Sequence, residues 1–132
     1  MEKPEEIKAV AHKAGTGVDE TVSMAMRFES GVLAHATASL GVKMSETATV
    51  YGTKGSIKVY QFLRSRKCEL FNDKDELLDH FTDEQEEGFV YEIEHVTDLY
   101  RNKRTESPLI PLEDSMDFAR AVDIIRAQCG LL

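Results

Sequence analysis

The sequence predicts an α+β fold, in which a mainly antiparallel open β-sheet of about six or seven strands carries two C-terminal helices on one face. Residues 5–82 alternate apolar and polar side chains in short segments separated by glycine-containing turns, as half-buried strands and hairpins do. From residue 89 onward the apolar spacing changes to that of helices. Strands followed by helices are typical of α+β domains, and a length of 132 residues predicts one domain, 1–132.

The first three strands are predicted at residues 5–14, 21–28 and 32–40, although Glu5-Glu6-Ile7-Lys8-Ala9 could also start a helix. A three-residue turn ending in Gly31 joins the second strand to the third. That turn places two apolar rows on the same side of the sheet, and we expect helices to cover this side. These rows are Val22, Met24, Met26 and Phe28 on one strand and Val32, Ala34, Ala36, Ala38 and Leu40 on the next.

The central hairpin pairs strands 46–51 and 56–63 across Gly52-Thr53-Lys54-Gly55, and its register has two possible solutions. A two-residue turn groups the apolar residues Ala48, Val50, Ile57 and Val59 on one face. A three-residue loop ending in Gly55 groups Thr49 and Tyr51 with Ile57 and Val59 instead. We expect a positive φ at Gly55, because glycine adopts it without steric cost.

A third hairpin is predicted from strands 67–72 and 76–82 around the turn formers Asn72, Asp73, Lys74 and Asp75. An acidic run at 83–87 precedes the first helix, whose apolar stripe is Phe89, Ile93, Val96 and Tyr100. Glu113 and Asp114 open the second helix, and Gly130 is its predicted C-cap. The predicted stripe of this helix is Ala119, Val122, Ile125 and Cys129.

Composition excludes several classes of protein. Sixteen basic and 24 acidic residues give a net charge of −8, which argues against binding to nucleic acid or to anionic membrane surfaces. The sequence contains neither an apolar run long enough to cross a membrane nor a signal-peptide core, so we expect a cytoplasmic protein. Cys68 and Cys129 are isolated, and no His/Cys cluster suggests a metal site.

Catalytic motifs are scarce. The sequence contains no GxSxG, HExxH, GxGxxG or Walker loop. Each of the four histidines lies alone on a predicted strand or helix. The residues themselves therefore predict a soluble α+β domain without a defined activity.

Five short motifs in a fixed order indicate a family. They are Gly17-Val18-Asp19-Glu20, Phe28-Glu29-Ser30-Gly31, Gly52-Thr53-Lys54-Gly55-Ser56-Ile57, Gly88-Phe89-Val90-Tyr91-Glu92, and the stretch 106–115. This series resembles the C-terminal domain of the Gfo/Idh/MocA oxidoreductase family, and in particular its dihydrodiol-dehydrogenase-like members. The resemblance implies an NAD(P)-dependent dehydrogenase acting on a sugar, polyol or cyclic diol, with an N-terminal Rossmann domain that binds the cofactor.

The resemblance further implies that this sequence is a domain fragment, because it lacks the strand, Gly-rich turn and helix of a dinucleotide site. We expect the fragment alone to be inactive, with no catalytic and no cofactor-binding residue; NAD or NADP belongs to the parent protein, where the Rossmann domain lies in cis.

Glu2-Lys3-Pro4 looks like the family's active-site Glu-Lys-Pro motif, but only 12 residues separate it from Gly17. We interpret it as the start of the first strand.

The candidate residues are therefore of two kinds. By position in the family pattern, the substrate-cleft wall is expected to include Phe62, Phe89 and, more weakly, Lys43. The open sheet face is expected to form a homodimer through Ala25, Leu33, His35, Thr37, Tyr51 and Tyr60. The alternative function is a stand-alone, non-enzymatic binding or assembly module.

Overall fold

The computed structural model describes residues 2–84 and 88–131. Seven strands precede two helices, and every strand pair is antiparallel, which confirms the α+β class. The strands are β1 Pro4–Lys13, β2 Asp19–Phe28, β3 Leu33–Ser39, β4 Thr47–Gly52, β5 Gly55–Tyr60, β6 Lys67–Asn72 and β7 Leu77–Thr82. The helices are α1 Val90–Arg101 and α2 Leu112–Gln128. Of the predicted acidic run, residues 85–87 lie outside the described residues.

The seven strands are divided between two hydrogen-bonded sheets, with orders β1-β2-β3 and β4-β5-β6-β7. The chain divides in the same place into two compact units. The first comprises Met1–Met44 and Leu99–Leu132, and the second comprises Ser45–Asp98.

The β2–β3 hairpin has the predicted three-residue turn. The Phe28 N–H donates to the carbonyl oxygen of Val32 at 3.0 Å, and Gly31 takes a φ of 85°. Met26 lies opposite Ile7 on one side and Ala34 on the other. The apolar rows of the three strands therefore share one face, as the alternation predicted.

Helix α2 packs against β1 and is attached to it through the side chain of Gln128. The Ala9 N–H donates to Gln128 Oε1 at 2.8 Å, and Gln128 Nε2 donates to the Ile7 carbonyl oxygen at 2.7 Å. Lys13 Nζ also donates to the carbonyl oxygen of Gly130 at 2.5 Å. Among the described residues, the buried apolar side chains are Ile7 and Val22, both on the face of this sheet that carries the apolar rows.

The predicted cap of α2 is confirmed. Gly130 has a φ of 65°, its N–H donates to Ala127, and the Leu131 N–H donates to Arg126. This pair of bonds is the Schellman motif, which requires a left-handed residue after the helix.

The predicted inner face of α2 is partly wrong. Ile125 and Cys129 are half-buried, but Ala119 and Val122 are exposed. The half-buried series instead runs at four-residue spacing, through Asp117, Ala121, Ile125 and Cys129. The ion pair of Asp117 with Lys3 places a charged residue on this face, which a search for apolar periodicity does not find.

The helical prediction for α1 is confirmed, whereas its apolar stripe is not buried. Phe89, Ile93, Val96 and Tyr100 are all more than half exposed. The periodic apolar stripe therefore predicted the helix correctly, but it did not predict that the stripe is exposed.

The register of the central hairpin follows the two-residue turn. Gly52 pairs with Gly55, and Val50 pairs with Ile57, so the apolar residues share one face. Tyr51 therefore lies on the opposite face, across from Ser56. The expectation for Gly55 is confirmed, with a φ of 144°.

The expected continuation of β5 to residue 63 is wrong. Gln61 adopts a left-handed conformation with φ 48° and ψ 52°, and Phe62–Arg64 forms a short 3₁₀ helix. The Phe62 N–H donates to the carbonyl oxygen of Glu46 at 3.1 Å. This turn takes Phe62 out of the strand.

The third hairpin forms as predicted. The Asn72 side-chain oxygen accepts hydrogen bonds from the N–H groups of Lys74 and Glu76, both at 2.9 Å. Asp75 occupies a left-handed position with φ 60°. Asn and Asp are favoured in such turns for these two reasons.

Replacing Gly55 by alanine should destabilise the second unit more than replacing Gly52. A Cβ on Gly55 would lie 2.0 Å from the Phe71 carbonyl oxygen, whereas one on Gly52 would approach only the Gly55 oxygen at 3.7 Å. The strained φ adds a cost of about 1–3 kcal/mol. Urea denaturation of both variants measures the difference, and equal midpoints would contradict the assigned turn.

Candidate functional site

The substrate-cleft candidates are all exposed. Phe62 lies in the 3₁₀ turn after β5 and is 50% exposed, and Phe89 lies directly before α1 and is 72% exposed. Both belong to the second unit, whereas Lys43 lies between β3 and β4 at the end of the first unit's strands. The phenyl rings are available to a ligand, and their role in substrate binding stays a prediction.

Four of the six dimer-face candidates are neighbours on one face of the first sheet. Ala25 pairs directly with His35, and the neighbouring pairs place Leu33 and Thr37 on the same side. The hydroxyl groups of Thr37 and Ser23 lie 3.0 Å apart. All four candidates are exposed, so this mixed apolar and polar face is open in the first unit.

Tyr51 and Tyr60 share a face of the second sheet, at opposite ends of the β4–β5 hairpin. Tyr51 is 81% exposed, whereas Tyr60 is half-buried. Tyr60 is held by neighbours from β5 and β6.

These neighbours form a polar cluster around Tyr60 that sequence reasoning missed. The Tyr60 hydroxyl donates to Glu69 Oε2 at 2.6 Å, and Lys67 Nζ lies 2.7 Å from Glu69 Oε1. The ammonium groups of Lys58 and Lys67 each lie 5.1 Å from the centroid of the Tyr60 ring, within cation–π range. The cross-strand pairs Tyr60–Lys67 and Lys58–Glu69 bring the four side chains together.

The ion pair stabilises the charged form of both partners. The hydrogen bond from Lys67, followed by that from Tyr60, lowers the pKa of Glu69, and the hydrogen bond with Glu69 raises the pKa of Lys67. Both shifts move the groups away from neutral pH, whereas a general acid or base needs a pKa near the working pH. The cluster is therefore suited to positioning and binding, and not to proton transfer.

Lys3 lies at the rim of an apolar cleft in the first unit. The cleft has a volume of about 190 Å³, and its apolar walls include Met26, Phe28, Phe118 and Ala121. This volume is below the approximately 300 Å³ typical of the smallest ligand pockets.

The Lys3 ammonium is paired with carboxylates of α2. Lys3 Nζ lies 2.9 Å from Asp117 Oδ2 and 3.3 Å from Glu113 Oε1. Hydrogen bonding to Asp117 raises the pKa of Lys3, and the same bond lowers the pKa of Asp117. Lys3 thus attaches the start of β1 to α2, in line with our interpretation of Glu2-Lys3-Pro4.

The structure offers no metal centre within residues 2–84 and 88–131, where no three His, Cys, Asp or Glu side chains converge. In the same ranges, no helix is long and apolar enough to cross a membrane.

Comparison with known sequences identifies relatives along nearly the whole chain. Residues 1–58 match the family model described as GFO/IDH/MocA C-terminal domain. Trans-1,2-dihydrobenzene-1,2-diol dehydrogenase of Oryctolagus cuniculus is 34% identical over 140 residues, which cover 98% of this chain and 42% of that protein. The same enzyme of Homo sapiens is 33% identical over 144 residues, covering 98% and 41%.

Solved structures have the same fold at lower identity. Aldose-aldose oxidoreductase from Caulobacter crescentus superposes with a TM-score of 0.77 at 15% identity, covering 98% of this chain and 40% of that one. UDP-N-acetylglucosamine 3-dehydrogenase from Acidithiobacillus ferrooxidans superposes with a TM-score of 0.75 at 19% identity, covering 97% and 41%.

The chain is thus a relative of the C-terminal domains of GFO/IDH/MocA oxidoreductases, as its motifs indicated. Within that class its relatives include the dihydrodiol dehydrogenases. It spans about two fifths of the length of these relatives.

Replacing Glu69 by glutamine should flatten the acid dependence of stability. Folding lowers the pKa of the Glu69 carboxyl from its usual value of 4.5. The ionised carboxyl therefore stabilises the folded protein at pH values above 4.5, and this contribution is lost as the pH falls through the lowered pKa. Urea midpoints from about pH 6 to about pH 3 should therefore decline less steeply in Glu69→Gln than in the unsubstituted chain.

Glu29→Gln, in the exposed β2–β3 turn, is the matched control and should follow the unsubstituted chain. If the midpoints of Glu69→Gln and the unsubstituted chain decline in parallel, ionisation of the Glu69 carboxyl does not contribute to folding stability.

Proposed function

We propose that these 132 residues form the substrate-side and oligomerisation domain of an NAD(P)-dependent oxidoreductase acting on a sugar, polyol or cyclic diol. The observation that carries this proposal is the alignment of 98% of the chain with 42% of a dihydrodiol dehydrogenase at 34% identity. The name of that relative favours a cyclic diol within the proposed substrate class.

The proposed cofactor site lies outside these residues. A dinucleotide site uses a Gly-rich turn between a strand and a helix N-terminus, with an acidic residue further along. The GxGxxG pattern of that turn does not occur in this sequence. In this proposal a Rossmann domain elsewhere in the parent protein holds NAD or NADP, and the cytoplasm is the proposed location.

Phe62 and Phe89 are the proposed substrate contacts. Exposed aromatic rings supply an apolar surface that suits the carbon face of a cyclic diol. The left-handed Gln61 takes Phe62 out of β5 and into a 3₁₀ turn, where half of the Phe62 side chain is exposed. Lys43 is a weaker candidate because it lies in a connecting segment.

The proposed dimer uses the open sheet face of the first unit, marked by Ala25, Leu33, His35 and Thr37. Tyr51 and Tyr60 are the separate dimer-face candidates of the second unit. A two-fold axis would place the same patch against itself. The face combines exposed Leu33 with hydroxyl and imidazole groups. Mixed surfaces of this kind are usual at protein interfaces, where tyrosine is enriched.

The reading frame of the full-length protein should encode a GxGxxG turn after a strand, upstream of these residues. The purified full-length protein should then reduce NAD or NADP, followed at 340 nm, with a trans-dihydrodiol, a sugar or a polyol. An in-frame stop codon directly upstream, or no reduction with any of these substrates, would favour the stand-alone binding module.

In that full-length enzyme, Phe62→Ala and Phe89→Ala should each raise KM by roughly tenfold, because each removes apolar contact area with the substrate. Leu63→Ala is the matched control, since Leu63 is an exposed neighbour in the same 3₁₀ turn. Unchanged KM values for both phenylalanine variants would remove them from the site.

Light scattering of the 132-residue chain at micromolar concentration should give about twice the chain mass of 14.8 kDa. Thr37→Arg should shift the protein to monomer without unfolding it, because it adds a charge to the proposed interface. Thr53→Arg, in the exposed β4–β5 turn, should remain dimeric. A monomeric starting protein, or a dimeric Thr37→Arg variant, would contradict this interface.

A further inference from the structure

Helix α1 ends in a turn that displays three positive charges. We call residues 100–105 the basic turn; they comprise Tyr100, Arg101, Asn102, Lys103, Arg104 and Thr105. The Lys103 N–H donates to the Tyr100 carbonyl oxygen at 3.0 Å, and the Arg104 N–H donates to the Leu99 carbonyl oxygen at 2.9 Å. These two bonds form a Schellman motif, which fixes the backbone that carries the cations.

Lys103 occupies an unfavourable position in this motif. Its φ is 53°, in the left-handed region that a Cβ disfavours and where glycine is the usual residue. The chain uses glycine at the equivalent position after α2, where Gly130 has a φ of 65°. A strained residue that could be replaced by glycine suggests a requirement for its side chain.

The three cations have no carboxylate partner among residues 2–84 and 88–131. No ion pair or side-chain hydrogen bond joins Arg101, Lys103 or Arg104 to any residue in the described part of the chain. By contrast Lys3, Arg27, Lys67 and Arg120 are all paired with acids. In a chain with a net charge of −8, three cations within one turn that have no partner in the described part of the chain form a distinct positive surface.

The dipole of α1 does not account for all three charges. A cation near a helix C-terminus interacts favourably with the last carbonyl groups, and Arg101 can serve that purpose. However, the carbonyl groups of Leu99 and Tyr100 already accept hydrogen bonds from the turn itself. Lys103 and Arg104 lie beyond the last helical residue and are exposed.

The same turn presents an aromatic ring beside the cations. Tyr100, Arg101, Lys103, Arg104 and Thr105 line an open hollow of about 520 Å³, and Tyr100 is 84% exposed. Arginine binds phosphate through paired N–H groups and lysine binds it as a point charge. An exposed aromatic ring stacks on a nucleobase without sequence preference.

We propose that the basic turn is a binding site for a nucleoside diphosphate group. The cations hold the two phosphates and Tyr100 stacks on the base. The site lies within the first unit and is independent of the proposed oxidoreductase activity.

Titration calorimetry of the 132-residue chain with ADP, pyrophosphate and adenosine tests the proposal. ADP should bind roughly tenfold more tightly than pyrophosphate because of stacking, and adenosine alone should not bind measurably. Tyr100→Leu should reduce ADP affinity to that of pyrophosphate. Arg104→Ser should weaken both phosphate ligands by roughly tenfold, since it removes a charged donor.

Lys103→Gly separates binding from folding. It should weaken ADP binding by roughly tenfold while raising the thermal midpoint by a few degrees, because glycine relieves the left-handed strain. Asp75→Gly is the matched control, since Asp75 is also exposed with φ 60°. It should raise the midpoint without changing ADP affinity.

Three outcomes would overturn the site: no saturable ADP binding at millimolar concentration, equal affinity for sulfate and ADP, or ADP affinity unchanged in both Lys103→Gly and Arg104→Ser. An unchanged affinity in well-folded variants cannot be attributed to unfolding, because the thermal midpoint is measured for each.

Discussion

The amide of Gln128 is the contact on which the first unit depends. It makes the two backbone hydrogen bonds that a neighbouring strand would make: it accepts one from the Ala9 N–H and donates one to the Ile7 carbonyl oxygen. These backbone groups lie on the edge of β1 that pairs with no strand of the described residues. Leaving such groups without partners costs about 1–3 kcal/mol when they are shielded from water. The amide also holds α2 over the face where Ile7 and Val22 are buried, so one polar side chain positions the apolar contact between helix and sheet.

The strands were predictable because period-two alternation and turn chemistry act within a few residues. The β2–β3 and β6–β7 hairpins follow from Gly31, Asn72 and Asp75, whose turn conformations are local properties. The β4–β5 register was undetermined because both turn lengths satisfied a local rule, and the apolar pairing of Val50 with Ile57 decided it. The face of α2 that contacts the sheet was only partly predictable. Its contacts join Asp117 to Lys3 and Gln128 to Ala9, and the residues of each pair are more than 110 positions apart in sequence.

The functional residues were predictable only through the family motifs, which gave positions and not contacts. Phe62 was placed in a strand because nothing in the sequence signals a left-handed Gln61. The cluster of Tyr60 with Glu69 required the pairing of β5 with β6, which joins residues from different hairpins. The signal available in the sequence is the opposite charge of Lys58 and Glu69, which are directly opposite once β5 pairs with β6.

The Gln128 bridge also sets an order of events during synthesis. It joins residues that are 119 positions apart, whereas the hairpins of both sheets close between neighbours in sequence. On a ribosome the hairpins can therefore form early, while the edge of β1 stays uncovered until α2 has emerged. Without Gln128, the Ala9 N–H and the Ile7 carbonyl oxygen on that edge would lose these partners.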